Sequence, residues 1–244
     1  MRSINTLINT CLLLLCISTA IAQSNAQTEL GFQKLEAREY SAAIDIFSQA
    51  LRDNPTDTLL LSGIIRAYTM SENFREAQNY IENAIRAHPN NPEFYLRRGI
   101  LNNFRNQFRR AIADFDVALS LTQGQGAVII LINRGISYSR EEDYARAFED
   151  FSNALTLSPN NVMALSQRGF ANFRLGNFNE AIHDFDRALE IDPENAMNFY
   201  NRGMTYLRLE NRGRACSDFH RSCSRGNMNA CRMIRGECAG VRQE

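Results

Sequence analysis

Four cysteines near the end of the chain could bind a metal ion, take part in redox chemistry or form disulfides. They are Cys216, Cys223, Cys231 and Cys238, and no other cysteine follows residue 16. Zinc needs four ligands that converge on one ion, and redox-active pairs favour the spacing Cys-x-x-Cys. The spacing here is seven residues, from 216 to 223 and again from 231 to 238. This pattern favours structural disulfides over a zinc site or a redox centre.

The spacing also predicts which cysteines pair. Seven residues are close to two helical turns, so the members of each neighbouring pair lie about 10 Å apart on one helix face, too far for a disulfide. A chain that folds back through residues 224–226 places Cys223 opposite Cys231 and Cys216 opposite Cys238. Four cysteines allow three pairings, and this register predicts Cys216–Cys238 and Cys223–Cys231. The alternatives stay open because Gly236 could end the helix before Cys238.

No catalytic constellation accompanies the cysteines. The three histidines, His88, His183 and His220, follow no common pattern, and the sequence contains neither His-Glu-x-x-His nor Gly-x-Ser-x-Gly. The segment at residues 124–126, Gly-Gln-Gly, is interpreted as a turn with an insertion rather than a phosphate-binding loop. We therefore expect a protein without enzymatic activity and without a cofactor or metal.

Composition and the N-terminus restrict the partners and the compartment. The 27 basic and 27 acidic side chains balance, so no basic excess is available for nucleic acid, which is not an expected partner. Residues 1–22 combine Arg2, a short apolar stretch and the segment Ala20-Ile21-Ala22, which predicts a cleavable signal peptide. An uncleaved anchor is the alternative. No later stretch has the ~18 consecutive apolar residues of a transmembrane segment, and disulfides persist on an export route.

The elements that carry these residues repeat along the chain with a fixed period. Gly135, Gly169 and Gly203 are evenly spaced, and the same interval separates Pro55 from Pro89. Alanines follow this period, with one insertion of two residues near 124–126: Ala43, Ala77, Ala111, Ala147, Ala181 and Ala215. Small and large apolar residues recur at helical spacing around them, which predicts helices that pack closely in pairs. A unit of this size cannot bury its apolar face alone, so the units must stack.

This pattern resembles the tetratricopeptide repeat, a helix-turn-helix unit whose period is the same as the interval between these glycines. The segment NFNEAIHDFDRALEIDP, residues 177–193, matches the second helix of that repeat. The resemblance implies an all-α, right-handed α-solenoid of six hairpins and a C-terminal capping helix within residues 227–244. The hairpins are predicted at 24–57, 58–91, 92–127, 128–161, 162–195 and 196–229. The first two deviate most, and Ile65 stands where later repeats have glycine.

An arginine and an aspartate occur together in the last four repeats and are missing together from the first two. The arginines are Arg98, Arg134, Arg168 and Arg202, and the aspartates are Asp114, Asp150, Asp184 and Asp218. This co-occurrence predicts an ion pair between the two helices of each hairpin. An arginine ladder that binds an anionic ligand is the alternative interpretation.

The resemblance also implies a binding surface, because this family holds peptides and partner proteins in a groove lined by the first helices. The apolar residues at groove positions include Leu96, Ile100, Ile132, Ile136, Phe170, Phe173, Met197 and Met204, with Arg140, Arg174 and Arg208 along one edge. Their burial between neighbouring repeats is the alternative. Of the five residues by which one subclass clamps a terminal carboxylate, only Asn133 is matched, so that clamp is not expected.

Together these patterns predict a non-catalytic scaffold or adaptor, in the periplasm or outside the cell. We expect it to bind a segment of another protein in the apolar groove. The first alternative is a structural solenoid that associates with itself as a homo-oligomer in a cell-envelope assembly. The second is an enzyme or metal protein built on the C-terminal cysteines.

Overall fold

The fold is all-α, as the sequence predicts. The computed structural model describes residues 26–239, and every element of secondary structure in that range is helical. The predicted signal peptide, residues 1–22, lies outside the described residues. Helix α1 covers residues 26–36. The other helices are α2 (Tyr40–Asp53), α3 (Thr58–Met70), α4 (Phe74–Ala87), α5 (Pro92–Phe104), α6 (Phe108–Ser120), α7 (Ala127–Arg140), α8 (Tyr144–Leu157), α9 (Val162–Leu175), α10 (Phe178–Ile191), α11 (Ala196–Arg208), α12 (Arg212–Ser224) and α13 (Met228–Glu237).

The chain divides into two compact units between Arg105 and Asn106. The first unit contains α1 to α5 and the second α6 to α13, so the division falls inside the third predicted repeat. Within each unit consecutive helices contact one another. Some alternate helices are also in contact: α3 contacts α5, and α9 contacts α11. This is the packing of tetratricopeptide hairpins in an α-solenoid. The limits of the six repeats stay a prediction.

The repeat period has a direct steric cause in the second unit. Phe151, Phe185 and Phe219 are fully buried, and each ring lies against the backbone of a glycine in the preceding helix. A Cβ atom added to Gly135 would lie 2.7 Å from Cε1 of Phe151, and the later repeats have the same arrangement. Glycine is therefore required wherever a phenylalanine ring closes the hairpin. In the first unit Gly31 of α1 faces the Phe47 ring in the same way, and Gly63 of α3, two residues before Ile65, faces that ring from the following helix.

Helix ends are set by polar caps and by left-handed residues. Asn161 Oδ1 accepts a hydrogen bond from the Ala164 amide at 3.0 Å, and Asn195 caps α11 in the same way. Such caps satisfy amides that have no partner inside the helix. The turn after α9 ends at Gly176, with φ of 86°, while Glu142 and Glu210 adopt positive φ at the corresponding places. These caps and turns fix where each hairpin reverses.

The predicted arginine–aspartate pairs are confirmed in the second unit. Arg134 donates to both carboxylate oxygens of Asp150, at 2.9 and 2.6 Å, and Arg168–Asp184 and Arg202–Asp218 have the same geometry. The aspartates are buried. Burial raises the pKa of Asp150, which its bond to Arg134 opposes. These three arginines therefore form structural ion pairs, and they are not available to bind an anionic ligand as an arginine ladder would. Arg98 and Asp114 belong to different units.

Candidate functional site

The second unit contains a groove of about 800 Å³ between its first helices. Helix α7 contributes Ile136 and Arg140, α9 contributes Phe170 and Arg174, and α11 contributes Met197 and other residues. The helices carry these side chains on one face because groove positions recur at helical spacing in each repeat. Five of the predicted groove residues are therefore brought together: Ile136, Phe170, Met197, Arg140 and Arg174.

Three predicted residues of the same unit lie outside this groove. Phe173 packs against Phe178, with ring centroids 5.9 Å apart, and the guanidinium of Arg208 lies 5.8 Å from the Phe173 ring. Met204 packs on the core formed by Ala215 and neighbouring residues. These side chains support the last hairpins rather than the walls of the groove.

Ile132 and Leu96 were expected to contact a partner, and the structure corrects both expectations. Ile132 is 2% exposed and Leu96 is 5% exposed, so neither side chain is available to a ligand. Ile132 belongs to the core that also contains Phe151 and Ala154. The fifth position of the first helix thus faces the neighbouring helices, which is the alternative that the sequence left open. Ile100 is half-buried and lies in the first unit.

The most exposed apolar residues of the groove stand at the second position of each repeat. Met163 and Met197 are 54% and 55% exposed and both line the groove. Ile129, at the same position of the previous repeat, is 49% exposed. Ala164 and Leu165 in the same first turn of α9 are fully buried, so the exposure of Met163 follows from the helix face that it occupies. Methionine adapts to ligands of different shape, so this stripe suits a variable apolar segment.

Two polar atoms in the walls of the groove have no hydrogen-bond partner. They are Asn198 Nδ2 and Ser139 Oγ, and both atoms are buried within the described part of the chain. Asn198 as a whole is 1% exposed. An unpaired buried amide or hydroxyl costs about 1–3 kcal/mol. Because both atoms are buried, they make no direct contact with a ligand in the groove.

Arginines give the groove a cationic edge. The guanidinium of Arg174 lies 4.3 Å from the Tyr144 centroid and 5.9 Å from the Phe170 centroid. The Tyr144 and Phe170 rings meet edge to face at 6.3 Å. Cation–π contacts of this kind hold a guanidinium in place while its N–H groups remain able to bind an acceptor. Arg140 is exposed on the same side of the groove.

The cysteines lie at the junction of α12 and α13. Cys216 and Cys238 have Cα atoms 5.6 Å apart, and those of Cys223 and Cys231 are 4.9 Å apart, separations that a disulfide spans. These are the two pairs of the predicted antiparallel register. Helix α13 extends to Glu237, so Gly236 does not end it early. Formation of the two bonds in the protein stays a prediction, tested below.

Neither a metal cluster nor a membrane span is found in the described chain. Within residues 26–239 no group of three or more His, Cys, Asp or Glu side chains could hold a metal ion. None of the helices in that range is long and apolar enough to cross a membrane.

Comparison with known families identifies the repeat. Two family models, both described as tetratricopeptide repeat, match residues 34–99 and 135–197. Together these two segments cover more than half of the chain. A comparison with curated protein sequences finds no match.

Solved structures share the fold at low sequence identity. YrrB, described as a TPR protein with an unusual peptide-binding site, is 21% identical over 78% of this chain and 97% of its own, with a TM-score of 0.62. PilF of Pseudomonas aeruginosa is 16% identical over 88% of this chain and 93% of its own, with a TM-score of 0.73. PilW, a type IV pilus biogenesis factor, is 18% identical over 89% and 95%, with a TM-score of 0.74. At these identities the likeness establishes the fold alone.

Proposed function

Because the chain belongs to the tetratricopeptide repeat family, we propose that it is an exported, non-catalytic scaffold or adaptor that binds a segment of a partner protein. The binding site is the groove between α7, α9 and α11. Proteins of this family generally mediate protein–protein interactions. The family is also typically non-catalytic.

The observation that carries the proposal is the combination of exposed apolar residues with a cationic edge in one groove. An extended segment can cover Met163 and Met197 with its apolar side chains, while an acidic side chain reaches the exposed Arg140 and Arg174. The volume of about 800 Å³ is within the range of ligand sites and suits a few residues of such a segment.

Charge adds a preference for an acidic residue in the ligand. Arg140 and Arg174 are both exposed at the groove, and a guanidinium recognises a carboxylate through two parallel hydrogen bonds. Glu142 also lines the groove and disfavours a second acidic residue near it. The expected ligand is therefore an extended, mainly apolar segment with an acidic residue near the arginine edge.

Export is supported by the predicted signal peptide at residues 1–22 and by the two close cysteine pairs, which would persist as disulfides outside the reducing cytosol. The peptide-binding description of YrrB and the pilus role of PilW fit a protein-binding role in the cell envelope. Neither identifies the partner of this chain.

Selection of displayed random peptides on the protein without residues 1–22 tests the proposal. We expect the selected peptides to be rich in apolar residues and to contain an acidic one. Their affinity, measured by fluorescence anisotropy, should fall at least about tenfold in the Met163→Glu, Met197→Glu double variant, because these side chains form the exposed floor. The matched control is Met228→Glu on α13, where the methionine is 65% exposed and lies outside the groove.

Equal affinities for the wild type and the double variant would refute binding in this groove. Both substituted methionines are more than half exposed, so the variant should fold normally, which circular dichroism verifies. Ile132→Glu is not a suitable test, because it would place a charge in the core.

The alternative function, a self-associating structural solenoid, rests on the same exposed stripe of Ile129, Met163 and Met197. A contiguous apolar patch of this kind marks an interface, and a second copy could occupy it. Size-exclusion chromatography with light scattering distinguishes the two functions. A monomer at micromolar concentration excludes tight self-assembly. An oligomer that dissociates in the double variant would favour self-association over peptide binding.

A further inference from the structure

The first unit contains a separate cavity of about 370 Å³, whose wall includes one of the predicted groove residues, Ile100. Leu35, Tyr40, Met70 and Ile100 form its apolar part, and Arg66 and Arg97 lie in its wall. All of these residues belong to the first unit, so this cavity is independent of the groove in the proposed function.

The two guanidiniums differ in how they are compensated. Arg97 Nε donates to Glu93 Oε1 at 2.7 Å, and Ser62 Oγ donates to the same oxygen at 2.7 Å. The Arg66 guanidinium lies 5.7 Å from the Phe32 ring, and no carboxylate among residues 26–239 is within ion-pair distance of it. Among the described residues, Arg66 is therefore a half-buried cation that no carboxylate pairs with directly.

The surroundings of Arg66 disfavour its positive charge. Burial lowers the pKa of Arg66, and repulsion from Arg97 lowers it further, while Glu93 and Glu36 act in the opposite direction. Arg38 and Glu36, exposed at the rim, carry opposite charges and offset each other. A bound anion would compensate the remaining positive charge.

The sequence context separates Arg66 from the structural arginines. Arg134, Arg168 and Arg202 each bind a buried aspartate of their own hairpin. In the second repeat that arginine position is taken by Ile64, which is fully buried, and Arg66 comes two residues later. The aspartate that would hold it is missing from the repeat pattern.

We propose that this cavity binds a carboxylate carried on a small apolar group. The carboxylate would accept two hydrogen bonds from Arg66, and the apolar part would lie against Leu35, Met70 and Ile100. Because only the positive charge of Arg66 is uncompensated, a monoanion is favoured over a phosphate group. The cavity volume is near the lower end for ligand sites, so the ligand is small. The same chemistry is offered by a free short-chain acid and by the C-terminal residue of a peptide.

Two pairs of probes test the proposal and separate these sources. The acids are hexanoate and N-acetyl-Gly-Leu with a free carboxylate, and the controls are their amides. Each is titrated into the protein labelled with ¹³C at the methionine methyl groups. Met70, which is 47% exposed in the cavity wall, reports binding, and Met228 on α13 serves as the reference.

A saturable shift of the Met70 methyl with either acid, and not with its amide, supports the proposal and identifies the source. Absence of such a shift with both acids, or equal shifts with acids and amides, overturns it. Arg66→Gln should weaken binding by about tenfold or more, because a hydrogen-bonded charge pair is lost. The matched control Arg75→Gln, at an exposed residue of α4, should leave the affinity unchanged.

Unchanged affinity in Arg66→Gln would also overturn the proposal. If that variant does not fold, Arg66→Lys decides, since lysine keeps the charge but cannot form the paired hydrogen bonds. We expect several-fold weaker binding in Arg66→Lys. An affinity equal to that of the wild type would show that Arg66 does not hold the ligand.

Discussion

Gly135→Ala tests the steric cause of the repeat period. Gly135 lies inside α7, and its added Cβ atom would lie 2.7 Å from Cε1 and 2.9 Å from Cζ of Phe151. The Phe151 side chain is fully buried, so the ring cannot move toward solvent and the two helices must separate instead. The substitution therefore inserts one methyl group into a closed contact.

The expected loss follows from two opposing effects. Inserting a carbon into a well-packed core costs about 1–3 kcal/mol, while alanine is better than glycine inside a helix by about 1 kcal/mol. A contact as short as 2.7 Å places the cost in the upper half of that range, at about 2–3 kcal/mol, so the free energy of unfolding should fall by about 1–2 kcal/mol. Urea unfolding followed by circular dichroism should show a lower midpoint with an unchanged slope.

Gly213→Ala is the matched control. Gly213 is also helical, in α12, and its added Cβ would have no neighbour closer than 4.0 Å. Only the preference of a helix for alanine over glycine then remains, and it is small because Gly213 lies near the helix end. This variant should therefore be as stable as the wild type or more stable by a few tenths of a kcal/mol. The Gly135→Ala loss should also shrink in a Phe151→Leu background, where the ring is absent. A Gly135→Ala protein that is as stable as the wild type would refute the steric explanation.

Three further predictions concern the second unit. Asp184→Asn should lower the free energy of unfolding by about 3 kcal/mol, the lower end for a broken buried pair, because its partner Arg168 is 22% exposed. The matched control Asp116→Asn, at a side chain 52% exposed, should cost under about 1 kcal/mol in the same urea assay. Complete reduction should raise the intact mass by about 4 Da if both cysteine pairs are bonded, and an unchanged mass would contradict the predicted disulfides. Gly176→Ala should cost about 1 kcal/mol of unfolding free energy, because φ is 86° there, and a neutral effect would show that the turn relaxes.

The sequence predicted the fold because its strongest signals are local and each has a single packing partner. A glycine at Gly169 and a phenylalanine at Phe185 must occur together, since the ring rests on the glycine backbone. The same holds for Arg168 and Asp184, which recur at fixed separation because they join two helices of one hairpin. Patterns of this kind repeat from copy to copy and are therefore visible without any knowledge of the neighbours.

The binding surface could be predicted only in part because exposure depends on the helices that flank each position. Ile132 and Met163 are both apolar residues of a first helix, yet the first is 2% exposed and the second 54%. Ile132 lies on the face of α7 that packs into the core, whereas Met163 lies on the face of α9 that lines the groove. The period places both residues correctly along the chain, but it does not measure how closely the next helix approaches.

The same reasoning explains why Arg66 has no signature in the sequence. Arginines occur throughout the repeats. The co-occurrence of arginine and aspartate identifies the arginines that form an ion pair, but it cannot identify an arginine that has none. The lack becomes visible only when α3 and α5 bring Arg66 near Arg97 and apolar side chains close the space around them. A repeat pattern constrains what the copies share, and the proposed carboxylate site lies where one copy departs from it. The second repeat departs at Ile64 and Arg66, so we expect ligand specificity in the first unit to depend on those departures rather than on the shared positions.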